Sequence, residues 1–255
     1  MDLGLAGKRA MIAGGTSGLG LAVARALAVE GADVAVCGRD ADRLAHAAGA
    51  LGGAGPGRVR ADQVDVTRET EVAAWVEATV AELGGLEIVV PNAGGPPPGC
   101  ATASGVDDYR AALELNLLSS LCLAQYALPH LRRAGWGRVI FIGSIAAKRP
   151  APNGALSNVS RPGVLGFAKS LVHELGSARI TVNTLLPGAI STARLAGLDA
   201  ADPDGARSRA DRIPLGRVGE PAEFGAVAAF LASEAASYLT GTAIPVDGGL
   251  DGSLY

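Results

Sequence analysis

Seven short runs dominated by Val, Ile and other apolar residues, at 9–13, 33–37, 58–64, 86–90, 137–142, 180–185 and 243–246, are separated by amphipathic stretches of helical length. This alternation constrains the fold more than any other feature. Strands that alternate with helices of this length predict a parallel sheet covered by helices on both faces, the doubly wound α/β class. Local punctuation agrees: Asp40 can N-cap the helix after the second strand, and the glycines and proline at 50–57 can end it. No linker, repeat or charge block divides the chain, so residues 1–255 read as one domain. Two loops follow strand C-termini, the edge at which open parallel sheets bind ligands. One is 92–102, stiffened by Pro96, Pro97 and Pro98. The other is 192–212, polar, alanine-rich and long enough to act as a substrate lid.

Composition excludes several classes of function. A hydrophobic fraction of 49% with 18% charged residues suits a globular protein. Basic residues are scattered singly and the formal net charge is -3, which argues against a nucleic-acid partner and against a polybasic membrane patch. Charge interrupts the apolar stretches well before 18 residues, and 1–9 lacks an apolar signal core; both point to a cytoplasmic protein without a membrane partner. Cys37, Cys100 and Cys122 are odd in number and widely spaced, and His46, His130 and His173 are isolated, so neither a disulfide framework nor a metal site is expected.

After the first strand the chain reads Ala13-Gly14-Gly15-Thr16-Ser17-Gly18-Leu19-Gly20 and then opens a helix. Glycines there let backbone approach a pyrophosphate, whose charge a helix N-terminus favours. The spacing is similar to the GxxxGxG loop of the short-chain dehydrogenase/reductase family. Further segments resemble that family in order: Asp65-Val66 after the third strand, Asn92-Ala93-Gly94 after the fourth with Pro91 before it, Pro187-Gly188-Ala189-Ile190-Ser191-Thr192 after the sixth, and Tyr238 to Gly249 at the end. The resemblance covers essentially the whole chain. It implies a single Rossmann-type domain binding a nicotinamide dinucleotide, a small carbonyl or alcohol substrate, and a homodimer or homotetramer. It further implies that Asp65 and Val66 cap the adenine and that the Ile190 backbone and Thr192 hydroxyl hold the nicotinamide carboxamide. Gly38 stands where NAD-preferring members carry an acid and Arg39 follows it, so NADP(H) is favoured over NAD, because a guanidinium suits a 2′-phosphate.

In this family a serine after the fifth strand polarises the substrate carbonyl, a tyrosine is the general acid or base, a lysine lowers its pKa and binds the ribose, and an asparagine in the preceding helix completes a water-linked proton path. Ser144 and Asn116 stand at the serine and asparagine positions. Thirteen residues beyond Ser144, however, the chain reads Ser157-Asn158-Val159-Ser160-Arg161, and no tyrosine occurs between Tyr126 and Tyr238. Gly166-Phe167-Ala168-Lys169 downstream keeps the register, so Ser157 and Arg161 replace the tyrosine and lysine. On a continuous helix the two share a face. Arg161 would keep the positive charge and hold ribose hydroxyls, but it cannot join a proton relay. Pro162 either kinks this helix or marks a restart with Ser160 as N-cap, which would displace Arg161. The expected activity is an NADP(H)-linked oxidoreductase with an atypical site. A catalytically silent cofactor-binding or regulatory subunit, and a non-redox cyclase, dehydratase or isomerase in the same pocket, are the alternatives.

Overall fold

The computed structural model describes residues 2–254. Its centre is one parallel sheet of order β3-β2-β1-β4-β5-β6-β7, with β1 (Arg9–Ile12), β2 (Asp33–Gly38), β3 (Val59–Gln63), β4 (Ile88–Val90), β5 (Gly137–Ile142), β6 (Ile180–Pro187) and β7 (Ala243–Val246). All seven expected strands are present; β6 extends two residues further, so that Pro187 is its last member and pairs with Val246.

Alternation along the strands builds two cores, because successive side chains point to opposite faces. Met11, Ala35, Val89, Val139, Phe141 and Val182 face one way. They pack against α3 (Glu69–Leu83), α5 (Ser119–Ala134) and α6 (Ala155–Leu175), which contribute Trp75, Leu123 and Leu171 among others. Ala10, Ile12, Val34, Val36, Ile140 and Ile142 face the other way, against α1 (Gly18–Val29), the end of α2 (Ala41–Gly52) and α9 (Pro221–Ala232). Asp40 caps α2 as expected, accepting the Arg43 N–H at 2.9 Å.

One expectation needs correcting. From Leu115 to Leu131 no Asp, Glu, Lys or Arg interrupts the chain, and the continuous helical segment Val106–Ala134 is long and apolar enough to cross a membrane by length and composition. It comprises α4 (Val106–Leu113), a π-helical turn (Glu114–Leu118) and α5. Its apolar residues serve the core instead: Leu123, Ala124, Ala127, Leu128 and Leu131 lie buried against the sheet.

Chain order along the sheet reverses between β1 and β4. The loops after these two strands therefore diverge, and they open a crevice at the strand C-termini. The segment 192–212 covers the far side of it, folded as α7 (Ala193–Ala201), α8 (Pro203–Arg207) and a final short turn at Ala210–Arg212.

Candidate active site

The crevice is a cleft of about 1240 Å³ that gathers every candidate residue of the glycine-rich turn, together with Asn92, Ser144, Ser157, Arg161 and Thr192. Gly14 and Gly18 take left-handed backbone, with φ of 57° and 54°, which suits glycine. Gly20 is required for a different reason: a Cβ there would sit 2.2 Å from the Gly14 carbonyl oxygen. Asn92 braces this turn from the neighbouring strand, its Nδ2 donating to the carbonyls of Ala13 at 3.1 Å and Gly14 at 3.4 Å. Ser17 is the N-cap of α1 but makes no capping bond, and no acid lies in the first turn. The first N–H groups of α1 thus face the cleft without a protein acceptor from that turn. Leu19, Ala93 and Gly94 complete this wall.

At the end of β2, a Cβ on Gly38 would lie 2.6 Å from Thr16 Cγ2, so an acid at that position would have to displace the Thr16 side chain. Asp40 is engaged as the α2 cap. Arg39 lines the cleft beside Asp65 and Val66. Burial pushes the Asp65 carboxyl up, but hydrogen bonds from the Thr67 N–H and hydroxyl, helped by Arg39 and Arg68, outweigh it and hold it below the usual range.

The chemistry end begins at Ser144, just past β5. Its Oγ accepts the Ala146 N–H at 3.1 Å, which leaves the hydroxyl proton directed elsewhere. Asn116 is fully buried inside the π-helical turn, with Nδ2 donating to the Gly94 carbonyl at 3.4 Å and Oδ1 unpaired. Of the two alternatives raised by Pro162, the restart does not occur: α6 runs through it, and Ser160 donates to the Leu156 carbonyl at 2.8 Å as an interior helical residue. Arg161 therefore stays on the same face as Ser157, and both line the cleft. Of the intervening residues, Asn158 clamps Ala151 through both its N–H and its carbonyl, at 2.9 and 3.0 Å, and Val159 faces outward.

Arg161 is only 7% exposed, and Nη1 donates to the Ile142 carbonyl at 2.9 Å while Nε has no partner. Burial, and secondarily the nearby charge of Arg194, push its pKa down to about 10. It remains a cation at neutral pH. Ser157 Oγ takes no hydrogen-bond partner among the described residues and opens on the cleft.

On the opposite wall Pro187 and Gly188 end β6, and Gly188 N–H donates to the Val246 carbonyl. The next residues bridge to Gly219 through the Ala189 carbonyl and the Ser191 N–H, which turns the Ile190 backbone groups to the other side. Thr192 caps α7, its Oγ1 accepting the Leu195 N–H at 3.3 Å. Sequence reasoning missed Arg194. It donates from Nη1 to the Gly95 carbonyl at 3.0 Å and from Nη2 to the Pro96 carbonyl at 2.8 Å, tying 192–212 to 92–102 across the mouth. The signal was one arginine in a polar segment, indistinguishable there from a solvated side chain.

A family model described as enoyl-(acyl carrier protein) reductase matches residues 13–251. The chain is 35% identical over 240 residues to the 3-oxoacyl-[acyl-carrier-protein] reductase MabA of Mycobacterium tuberculosis, covering 94% of this chain and 91% of that protein. It is 36% identical over 250 residues to L-fucose dehydrogenase of Bos taurus, covering 96% and 90%. Among solved structures, L-sorbose reductase from Gluconobacter frateurii, complexed with NADPH and L-sorbose, superposes with a TM-score of 0.93 at 34% identity, covering 100% of both chains. The chain belongs to the short-chain dehydrogenase/reductase family. It is an oxidoreductase of that type by descent and by fold.

Proposed function

We propose that this protein is an NADP(H)-dependent oxidoreductase of a small carbonyl compound or its alcohol, working without the tyrosine relay. The observation that carries this reading is the meeting of Ser144, with its proton free to donate, and the buried cation Arg161 in the same cleft as the glycine-rich turn. The residues present fit a dinucleotide. The Gly14–Gly20 turn is a cradle that a Cβ would fill, α1 offers uncapped N–H groups, and Arg161 Nε and Asn116 Oδ1 are buried polar atoms without partners. The relative from Gluconobacter frateurii binds NADPH, and Arg39 beside Gly38, where no acid stands, favours the phosphorylated cofactor over NAD here.

When bound, NADPH supplies the hydride to the carbonyl carbon. Gly14, Thr16, Ser17, Gly18, Leu19 and Gly20 would hold its pyrophosphate, Arg39 its 2′-phosphate, Asp65 and Val66 its adenine, and Asn92, Ala93, Gly94, Arg161, Pro187, Gly188, Ile190 and Thr192 its nicotinamide half. Ser144 donates a hydrogen bond to the carbonyl oxygen. The positive charge of Arg161 stabilises the negative charge that develops there, a contribution enlarged by exclusion from water. Ser157 is too weak an acid to replace a phenol, so its hydroxyl and Asn116 position the water that protonates the product oxygen. The segment 192–212 acts as the lid, and its tie through Arg194 keeps water out of the closed site.

The test is NADPH oxidation across a panel of small ketones and aldehydes, with calorimetric NADPH binding measured in parallel. Binding without turnover of any carbonyl contradicts the reading and points to a silent cofactor-binding subunit; product formed without net cofactor change points to non-redox chemistry. Exposed Leu118, Tyr126 and Val159 support working as a homodimer or homotetramer, which light scattering reads directly.

A further inference from the structure

Two arginines line the chemistry end of one cleft, and neither has a carboxylate partner among the described residues. Several other arginines of the chain are paired with carboxylates. Arg209, on the lid, is paired with Asp199; Arg217 with Glu223; Arg58 with Asp33. Asp202 also lines the cleft, but its Oδ1 accepts the Gly205 N–H as the cap of α8. Burial, and secondarily the nearby charge of Arg194, disfavour the Arg161 cation, whereas Arg194 is an exposed residue whose pKa is lowered by partial desolvation alone. A buried cation without a carboxylate partner, with a second cation beside it on the same cleft, favours an anion there.

The seat of Arg194 is built. Gly95 does not take a left-handed backbone, so its conformation does not call for glycine. The bare glycine leaves the space that the guanidinium takes: a Cβ on Gly95 would lie 2.4 Å from Arg194 Cζ and 2.5 Å from Nη2. The missing side chain lets the guanidinium lie against the loop while both Nη atoms hold carbonyls, and the partnerless, buried Arg161 Nε lies on the same cleft.

We propose that the lid side of the cleft is a carboxylate subsite: Arg194, with the charge of Arg161, holds an acid group carried by the substrate, which is therefore an oxo acid or the matching hydroxy acid. This rests on the oxidoreductase reading for its chemistry, not for its binding. Reduction converts the ketone to the alcohol by addition of hydride from NADPH and a proton from water, and the carboxylate is unchanged. The carboxylate orients the carbonyl toward Ser144, and an uncharged analogue gains no ionic attraction from the same positive field.

The experiment is calorimetric titration of the NADPH-loaded full chain with 2-oxobutanoate, acetoacetate and 4-oxopentanoate, each against its amide, with NADPH oxidation followed in the same samples. At least one acid should bind about 10- to 100-fold more tightly than its amide, the range of a charge-assisted hydrogen bond. Arg194→Gln should abolish that preference, and Arg194→Lys, which keeps the charge, should retain part of it. No acid preferred over its amide, or a preference that survives Arg194→Gln, overturns the proposal. So does weakened NADPH binding in Arg194→Gln with an intact preference, because Arg194 then serves the cofactor. A preference for the acid without NADPH oxidation upholds the subsite and sinks the oxidoreductase reading instead.

Discussion

Arg161 brings a positive charge into a place where the protein offers it one carbonyl, that of Ile142, and no carboxylate. Such burial costs several kcal/mol, and replacing an unpaired buried ion by an apolar side chain of similar volume is often stabilising. Arg161→Met should therefore raise stability by about 1–3 kcal/mol, read as a Tm increase of about 2–4 °C per kcal/mol, while turnover falls sharply. A loss of stability would mean that the charge is structural. The pH dependence follows from the same residue. Its folded pKa is depressed from the ordinary arginine value to about 10, so the burial penalty applies in full below about 10 and is relieved as the pH rises above it. For catalysis the sign is opposite, because the charged form is the useful one. Serine hydroxyls do not titrate in the working range, so kcat/KM should be flat from about pH 6 to about pH 9 and fall above about pH 10. An inflection near neutrality would reveal an acid–base group outside this account.

At the scale of elements, the strand–turn–helix unit β1–α1 carries the proposed cofactor end. Gly20→Ala would drive a methyl group into the Gly14 carbonyl and should weaken NADPH binding about 10-fold or more, measured by calorimetry, with the sheet intact by circular dichroism. This unit was legible beforehand, since β-branched runs and glycine spacing are local signals. So were all seven strands and the Asp40 cap. Other features were not legible because they depend on packing across the chain. Glu114-Leu115-Asn116-Leu117-Leu118 is an unremarkable helical string, yet it forms the π turn in which Asn116 is buried. Pro162 left a restart of the helix open, but α6 runs through it, and Val164, Ala168 and Leu171 anchor the helix beyond it. The tie from Arg194 to Gly95 and Pro96 spans almost a hundred positions, which no local pattern encodes.

For the whole molecule, the reversal of strand order between β1 and β4 creates one cleft, to which the turn after β5 delivers Ser144 and α6 delivers both Ser157 and Arg161. That division permits repair of the missing relay without rebuilding the fold. Ser157→Tyr with Arg161→Lys would set a phenol and an amine four residues apart on one face of α6, opening on a cleft of about 1240 Å³. The double variant should raise kcat on any accepted carbonyl by about 10²-fold or more, the usual worth of general acid–base catalysis. An unchanged kcat would indicate that proton supply does not limit the natural site. The central claim is that carbonyl reduction here rests on Ser144 acting at the substrate oxygen. It is tested most directly by the steady-state rate of NADPH oxidation in Ser144→Ala against the unmodified protein on the same carbonyl. The account predicts a loss of about 10²- to 10³-fold in kcat, the usual effect of removing one oxyanion donor, with NADPH affinity little altered. An undiminished rate in Ser144→Ala would contradict it.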